Sequence, residues 1–250
     1  MRGRGVRFYI TTGVTVAALS LAALSSIIVG SLHGSARAWW IAINLLSVAT
    51  AVVVQAIEQR RRERERQAAE VVAIDMRTAM NDSLDPIVRQ IGRIAVAADR
   101  GERLALREQT VPMVLYSASL LIGPDRVRAS WFRLDTRTPR ALRPELSEGR
   151  AGGPRTTFIE GTRVGDPVFE LLASNEHRFC ADVLVQPPPG WDASHSHDYR
   201  TFLSVPVVAG ARAFGLLTVD SLLPGDLTEG DVPLLRLLAG LLADALAYGS

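Results

Sequence analysis

Charged positions are missing from two long stretches near the start of the chain and regularly spaced after them. From Phe8 to Leu32, 25 residues carry no charged side chain, and from Ala38 to Ile57 there are 20 more. A helix needs roughly 20 apolar residues to cross the hydrocarbon core of a bilayer. The pattern therefore predicts two transmembrane helices, about 8–32 and 38–57, joined by the short connector His33–Arg37 into an antiparallel hairpin. Trp39 and Trp40 open the second run, where indole rings favour the headgroup boundary. Arg2, Arg4 and Arg7 precede the first run, and Arg60, Arg61, Arg62, Arg64 and Arg66 follow the second; Arg37 alone lies between. The positive-inside rule then predicts a multi-pass protein of the inner (plasma) membrane with its N-terminus and C-terminal domain in the cytoplasm. A cleavable signal peptide ending near Ala36-Arg37-Ala38 is a competing reading, but its apolar stretch exceeds the roughly 7–15 residues of such signals. A buried helical hairpin of a soluble protein fits two uncharged runs of this length poorly.

Past Ile57 the period changes. Ala69, Ala73, Met76, Met80, Leu84, Ile87, Ile91, Ile94 and Ala98 recur at steps of four and three, a heptad seam with one stutter. Asp85-Pro86 falls just after the stutter, so the pattern predicts one helix to about Asn81, a break, and a second helix from Pro86 to about Ala98. Flanked by charges, 69–84 predicts a homodimer seam, a possible coiled coil. For 86–98, a dimer seam and an amphipathic helix packed on its own domain fit equally. The run QRRRERERQ reads as an interfacial helix start, its arginines facing anionic headgroups and its glutamates pairing at helical spacing.

The last 150 residues mix both periods. A helical stretch opens at Gly101-Glu102, carries Pro112 as a kink, and stops at Gly123-Pro124. Val127–Asp135 reads as a strand, Thr136–Pro154 as a strand edge and loop, Thr156–Thr162 as a strand, Gly165–Ser174 as a short helix, and Arg178–Val185 as partly extended. PPPGWDASHSHD, 187–198, reads as a polar loop. Tyr199–Val208 and Phe214–Ser221 read as strands joined by a tight turn. A helix follows from near Thr228, where Thr228 and Asp231 fit a capping box or Asp231 is itself the N-cap. A strand hairpin covered by a terminal helix gives an α/β arrangement of the α+β kind. The predicted organisation is thus a membrane hairpin (1–57), a juxtamembrane and connecting helix (58–100), and an antiparallel sheet sandwiched by helices (101–250).

The stretch from Tyr199 to Ala247 resembles the GAF domain family. The resemblance is carried by Leu203-Ser204-Val205-Pro206-Val207, a small-residue turn, Phe214-Gly215-Leu216-Leu217-Thr218-Val219-Asp220-Ser221, and a Leu-Thr-Glu-Gly-Asp-Val lead into a Leu/Ala-rich helix. Trp131–Asp135 suits the family's first strand. The resemblance implies helices on one sheet face and, on the other, a small-molecule pocket roofed by variable loops; it also implies a role in sensing or in dimerisation. The pocket would lie under Phe158–Tyr199, and the implied ligand-binding residues are His177, Phe179, Asp182, Tyr199 and Arg200, with Trp191, His195 and His197 nearby.

Composition narrows the ligand and the chemistry. All 28 basic residues are arginine, so the Asn-Lys pattern of cyclic-nucleotide-binding members is missing, as is any Schiff-base or P-loop lysine. Cys180 is followed by Ala181, not by the His of bilin-attaching members, and reads as a small buried apolar residue. One cysteine cannot supply both the attacking and the resolving thiol of the branch that reduces free methionine sulfoxide, and it excludes disulfides and multi-cysteine metal sites within one chain. Ser194-His195-Ser196-His197-Asp198 reads as a solvated loop, with no second cluster to complete a metal site. No nucleophile elbow, P-loop or carboxylate pair is present. Residues 1–100 hold 13 Arg against 8 acids, and residues 101–250 hold 15 against 18, so the domain is a poor grip for nucleic acid. The expected function is a membrane-anchored sensor or adaptor, not an enzyme. No metal or catalytic residue is assigned, the cofactor is unknown, and there is no output domain in the sequence. Its expected partners are the bilayer, a second copy, and a small molecule or downstream signalling protein; a ligand-free scaffold is the alternative.

Overall fold

Each central strand sends alternate side chains into two different environments, and that alternation organises the fold. The computed structural model describes residues 35–124, 126–191 and 197–248. The chain divides into two units, Met1–Met76 and Arg77–Ser250. Helices α1 (Ser35–Val96) and α2 (Arg100–Leu121) precede strands β1 (Arg128–Asp135), β2 (Ala141–Gly149) and β3 (Phe158–Ile159). Helix α3 (Asp166–Ser174), strands β4 (Arg178–Cys180), β5 (Thr201–Ala209) and β6 (Arg212–Ser221), a 3₁₀ turn (Glu229–Asp231) and helix α4 (Val232–Ala247) follow. The six strands form one antiparallel sheet in the order β3-β2-β1-β6-β5-β4.

One face carries the main core. Ala129, Trp131, Leu203, Val205, Val207 and Leu217 pack there against α2 (Val114, Leu115), α4 (Leu235, Leu238, Leu242) and Ile87 of α1. The intervening residues face the other way, where Phe132, Leu142 and Leu216 meet Val168, Phe169 and Leu171 of α3. Helix starts are fixed by side chains: Asp99 Oδ2 accepts from the Glu102 amide at 2.7 Å. Asp231 Oδ2 accepts from the Thr228 amide at 2.7 Å, with Pro233 in the first turn of α4. Such caps satisfy amides that a helix leaves unpaired.

The structure corrects several expectations. The break at Asp85-Pro86 does not occur: Pro86 lies inside α1. The missing N–H weakens that turn, but packing holds it helical. Ile87 and Ile94 are fully buried, Gln90 Nε2 donates to the Leu106 carbonyl at 3.0 Å, and Ser117 Oγ donates to the Ser83 carbonyl at 3.1 Å. Residues 84–94 of the seam therefore pack on their own domain. Within Thr136–Pro154 lies a full nine-residue strand, β2, despite Pro144. Strand β3 pairs only with Ala141 and Leu142, so Pro144 sits where its missing donor has no neighbouring strand to serve. The expected strand 156–162 is observed only as Phe158–Ile159.

The first predicted span, 8–32, lies outside the described residues. The second, 38–57, lies within α1, which continues through the arginine run without a break. Among the described residues, no helix is long and apolar enough to cross a membrane.

Gly215 of β6 marks the tightest backbone approach on the helix side of the sheet. A Cβ there would lie 2.0 Å from the Phe132 carbonyl oxygen and 2.5 Å from the Trp131 ring. Gly215→Ala is expected to destabilise the domain by about 2–3 kcal/mol through overpacking, read as a lower midpoint in urea unfolding.

Candidate functional site

The sheet face turned away from α2 and α4 floors a cavity of about 660 Å³. Strand register places the floor residues in rows. Ser130, Thr218, Ser204 and Arg178 are successive cross-strand neighbours on β1, β6, β5 and β4. Toward one end lie Phe132 and Leu216, and toward the other Arg128 and Asp220, each a directly paired couple. The roof comes from one stretch of chain, between β2 and β5. It includes Arg155–Ile159, Val168 and Leu171 of α3, Pro188–Trp191, His197 and Tyr199. Gly190 permits the close seat of this roof: its φ is 76°, and a Cβ there would lie 2.7 Å from the Arg163 carbonyl oxygen.

Four charged side chains bind the roof to the floor. Arg128 is buried, and its Nε donates to Asp220 Oδ2 at 3.0 Å while its two terminal nitrogens reach Asp198 at 3.2 Å. Its Nη1 also donates to the Gly152 carbonyl at 3.1 Å. Arg150 closes the ring, donating to Asp198 at 2.7 Å and to Asp220. Two guanidiniums thus meet two carboxylates, and the charge cancels. Burial pushes the Asp220 carboxyl above its ordinary value, against the pull of Arg128 and Arg150. Burial also resists ionisation of Asp198, but hydrogen bonds from Arg150 and Arg128 outweigh it and hold that carboxyl below the usual range. A second fastening is the Arg200–Asp182 pair, with Nε to Oδ1 at 2.9 Å; the hydrogen bond from Arg200 holds Asp182 below the usual carboxylate value.

Aromatic rings pack beside these charges. Trp191 meets His197 at 3.9 Å between centroids and Tyr199 edge-on at 5.9 Å, and Tyr199 meets Phe202 edge-on at 6.1 Å. Burial raises the Tyr199 phenol well above its ordinary value, so it stays neutral and available as a hydrogen-bonding group.

Of the residues implied by the family resemblance, Tyr199 lines the cavity, as do Trp191 and His197. Phe179 does not. Its strand alternates, and it packs on the helix-side core while Arg178 before it faces the cavity. His177 Nε2 lies 3.3 Å from Glu229 Oε2, away from the lining. Asp182 and Arg200 spend their charges on each other outside the lining. His195 falls outside the described residues. Ser130, Arg178, Ser204, Thr218 and Asp220 are floor residues that sequence reasoning passed over. A signal was present for three of them: Ser130, Ser204 and Thr218 each stand between two apolar residues of a strand. Among the described residues, no group of three or more His, Cys, Asp or Glu side chains is placed to hold a metal ion.

Comparison with known proteins identifies a family. The profile of the GAF domain family matches residues 107–247. No curated protein sequence matches the chain. Among solved structures, the chain is similar to the GAF domain of an Acinetobacter phosphoenolpyruvate-protein phosphotransferase, at 20% identity over 67% of this chain and 93% of that chain, TM-score 0.43. The corresponding domain from Coxiella burnetii is also similar, at 20% identity over 68% and 94%, TM-score 0.47. So is a free methionine-R-sulfoxide reductase from Neisseria meningitidis in complex with its substrate, at 20% identity over 64% and 84%, TM-score 0.44.

Breaking the four-membered ring leaves a buried carboxylate short of its partner. Arg128→Gln is expected to cost roughly 3 kcal/mol, the low end for a broken buried pair because Arg150 remains, measured by urea unfolding. The depressed Asp198 contributes stability that is present above the unfolded carboxylate value and is lost as pH falls through its folded value. Melting temperatures recorded from about pH 5 down to about pH 2 should therefore fall less steeply for Asp198→Asn than for the unaltered chain.

Proposed function

Because the chain belongs to the GAF domain family, we propose that it is a sensor or adaptor in signal transduction whose cavity binds a small molecule. The observation that carries this reading is the cavity itself, about 660 Å³ between the sheet and its fastened roof. Small-molecule sites typically occupy about 300–1,000 Å³. The sheet is a shared wall. Ser130, Phe132 and Leu216 face the ligand side, while their neighbours Ala129, Trp131 and Leu217 touch the helix layer. A ligand that shifts the strands shifts the packing of α2 and α4, which offers a partner protein something to read.

The proposal includes attachment to the inner membrane through residues 1–57, with residues 77–250 facing the cytoplasm. Its support is the pair of charge-free runs with arginines outside them, and the apolar side chains Trp39, Leu45, Leu46, Val52, Val53 and Ile57 that α1 leaves exposed. Pairing of two copies is supported by exposed Met76 on the seam. A non-catalytic role is supported by the single thiol: burial pushes Cys180 up and makes it a poor nucleophile, and no second cysteine exists to resolve an intermediate.

Two measurements check these statements. The full chain, purified in mild detergent, is expected to retain a small molecule detectable by native mass spectrometry, or to show ligand-dependent melting; an empty chain indifferent to every added compound overturns the sensor reading in favour of a scaffold. In cell fractions, the chain is expected to stay with membranes through high-salt and high-pH washes, and its release by either overturns the anchor.

A further inference from the structure

We propose that the cavity's ligand is an anion with an apolar or aromatic body, a carboxylate in the simplest case, whose charge is held by Arg178 and Arg155 and whose second polar group reaches Ser130 Oγ. This rests on the reading of the cavity as a small-molecule site and adds the class of molecule.

The charge balance of the lining comes first. Arg155, Arg178 and Asp220 are the Arg and Asp residues of the described lining, and no Glu joins them. Asp220 is already met by both Arg128 and Arg150, and Asp198 by the same two guanidiniums. Arg155 and Arg178 have no hydrogen-bonded or ion-paired acid among the described residues. The uncompensated charge facing the cavity is therefore positive. The two arginines reach the space from different sides, Arg178 from the edge strand β4 beside Ser204 and Arg155 from the segment between β2 and β3. Guanidiniums offer planar forks of donors that match a carboxylate or phosphate.

The second observation lies deeper. Ser130 is 1% exposed, lines the floor, and its Oγ has no hydrogen-bond partner. Its neighbours in the same row satisfy each other, with Ser204 Oγ 2.9 Å from Thr218 Oγ1. A buried hydroxyl without a partner is uncommon, and each instance calls for an explanation. Here the explanation is a ligand atom, since the residue faces the cavity and not the packed core. Thr156, Thr157, Thr162 and His197 also line the space, but its largest side chains are apolar or aromatic: Phe132, Phe158, Phe202, Leu216, Trp191 and Tyr199. They suit a flat hydrocarbon body and would leave a fully hydrated polar molecule without partners.

A matched set of probes tests the assignment on the full chain in detergent: 2-naphthoate, its neutral isostere 2-naphthamide, and the cation 2-naphthylmethylamine, each by isothermal titration. Naphthoate is expected to bind at least roughly tenfold tighter than the amide, a difference of about 1.4 kcal/mol, and the amine least. Arg178→Gln and Arg155→Gln are each expected to remove most of that preference while leaving amide affinity in place. Ser130→Ala is expected to change naphthoate affinity less than Arg178→Gln does. Exposed Arg155 serves as the control for folding, because its replacement leaves the core untouched, and unchanged circular dichroism melting of each variant completes that check. Amide or amine binding as well as naphthoate, or naphthoate affinity indifferent to both arginine variants, overturns the anion assignment while the cavity remains a ligand site. If no probe binds and native mass spectrometry finds nothing retained, the small-molecule reading falls and this inference with it.

Discussion

A charge taken out of water anchors one end of the cavity. Arg128, the first residue of β1, is buried beside Ala129 and Trp131, and a charge so placed is tolerable only when it is paired and hydrogen-bonded. Asp220 on the adjacent strand, Asp198 in the roof and the Gly152 carbonyl supply those partners. Because the partners come from β6, from the chain after β2 and from the chain before β5, one desolvated guanidinium fixes where three segments meet. The roof sits where it does because Arg128 cannot be left unsatisfied.

Much of the fold was legible from period alone, and the failures have physical causes. Strands β5 and β6 and helix α4 declared themselves through long apolar runs with clean boundaries, and the Thr228/Asp231 pairing at the helix start was readable three residues apart. Pro86 signals a break by local propensity alone, and the tertiary contacts that hold Ile87 and Ile94 in the core override it. Strand β2 was obscured by Pro144, whose harmlessness depends on β3 being only two residues long, a fact no local pattern contains. The resemblance implies a pocket under Phe158–Tyr199, and the roof of the cavity draws on that stretch. Its floor is marked in the sequence only by isolated hydroxyls inside strands, a weaker signal than the histidines and aromatic residues of the polar loop. Phe179 shows the cost of ignoring alternation: in a three-residue strand, Arg178 and Phe179 serve opposite faces of the sheet.

The cavity's electrostatics follow from the same bookkeeping of partners. Where a carboxylate and a guanidinium are both near the space, they are matched: Asp220 and Asp198 with Arg128 and Arg150, Asp182 with Arg200. Arg155 and Arg178, left over from these pairs, line the cavity. Tyr199, pressed against Phe202 and Trp191, stays an uncharged phenol and closes the space without adding a charge of its own. The aromatic cluster and the ion-pair ring thus divide the work of holding the roof, one through surface area and the other through directional bonds.

Nearly all of the roof is drawn from a single uninterrupted stretch between β2 and β5, whereas the helix layer draws on segments at both ends of the domain. The two sides of the sheet can consequently diverge at different rates. Exchanges in the roof alter what the space admits without disturbing Leu235, Leu238 or Val205, so new specificities can arise by drift in one contiguous cassette. Inheritance of the scaffold and invention of the ligand become separable events in the history of such a chain.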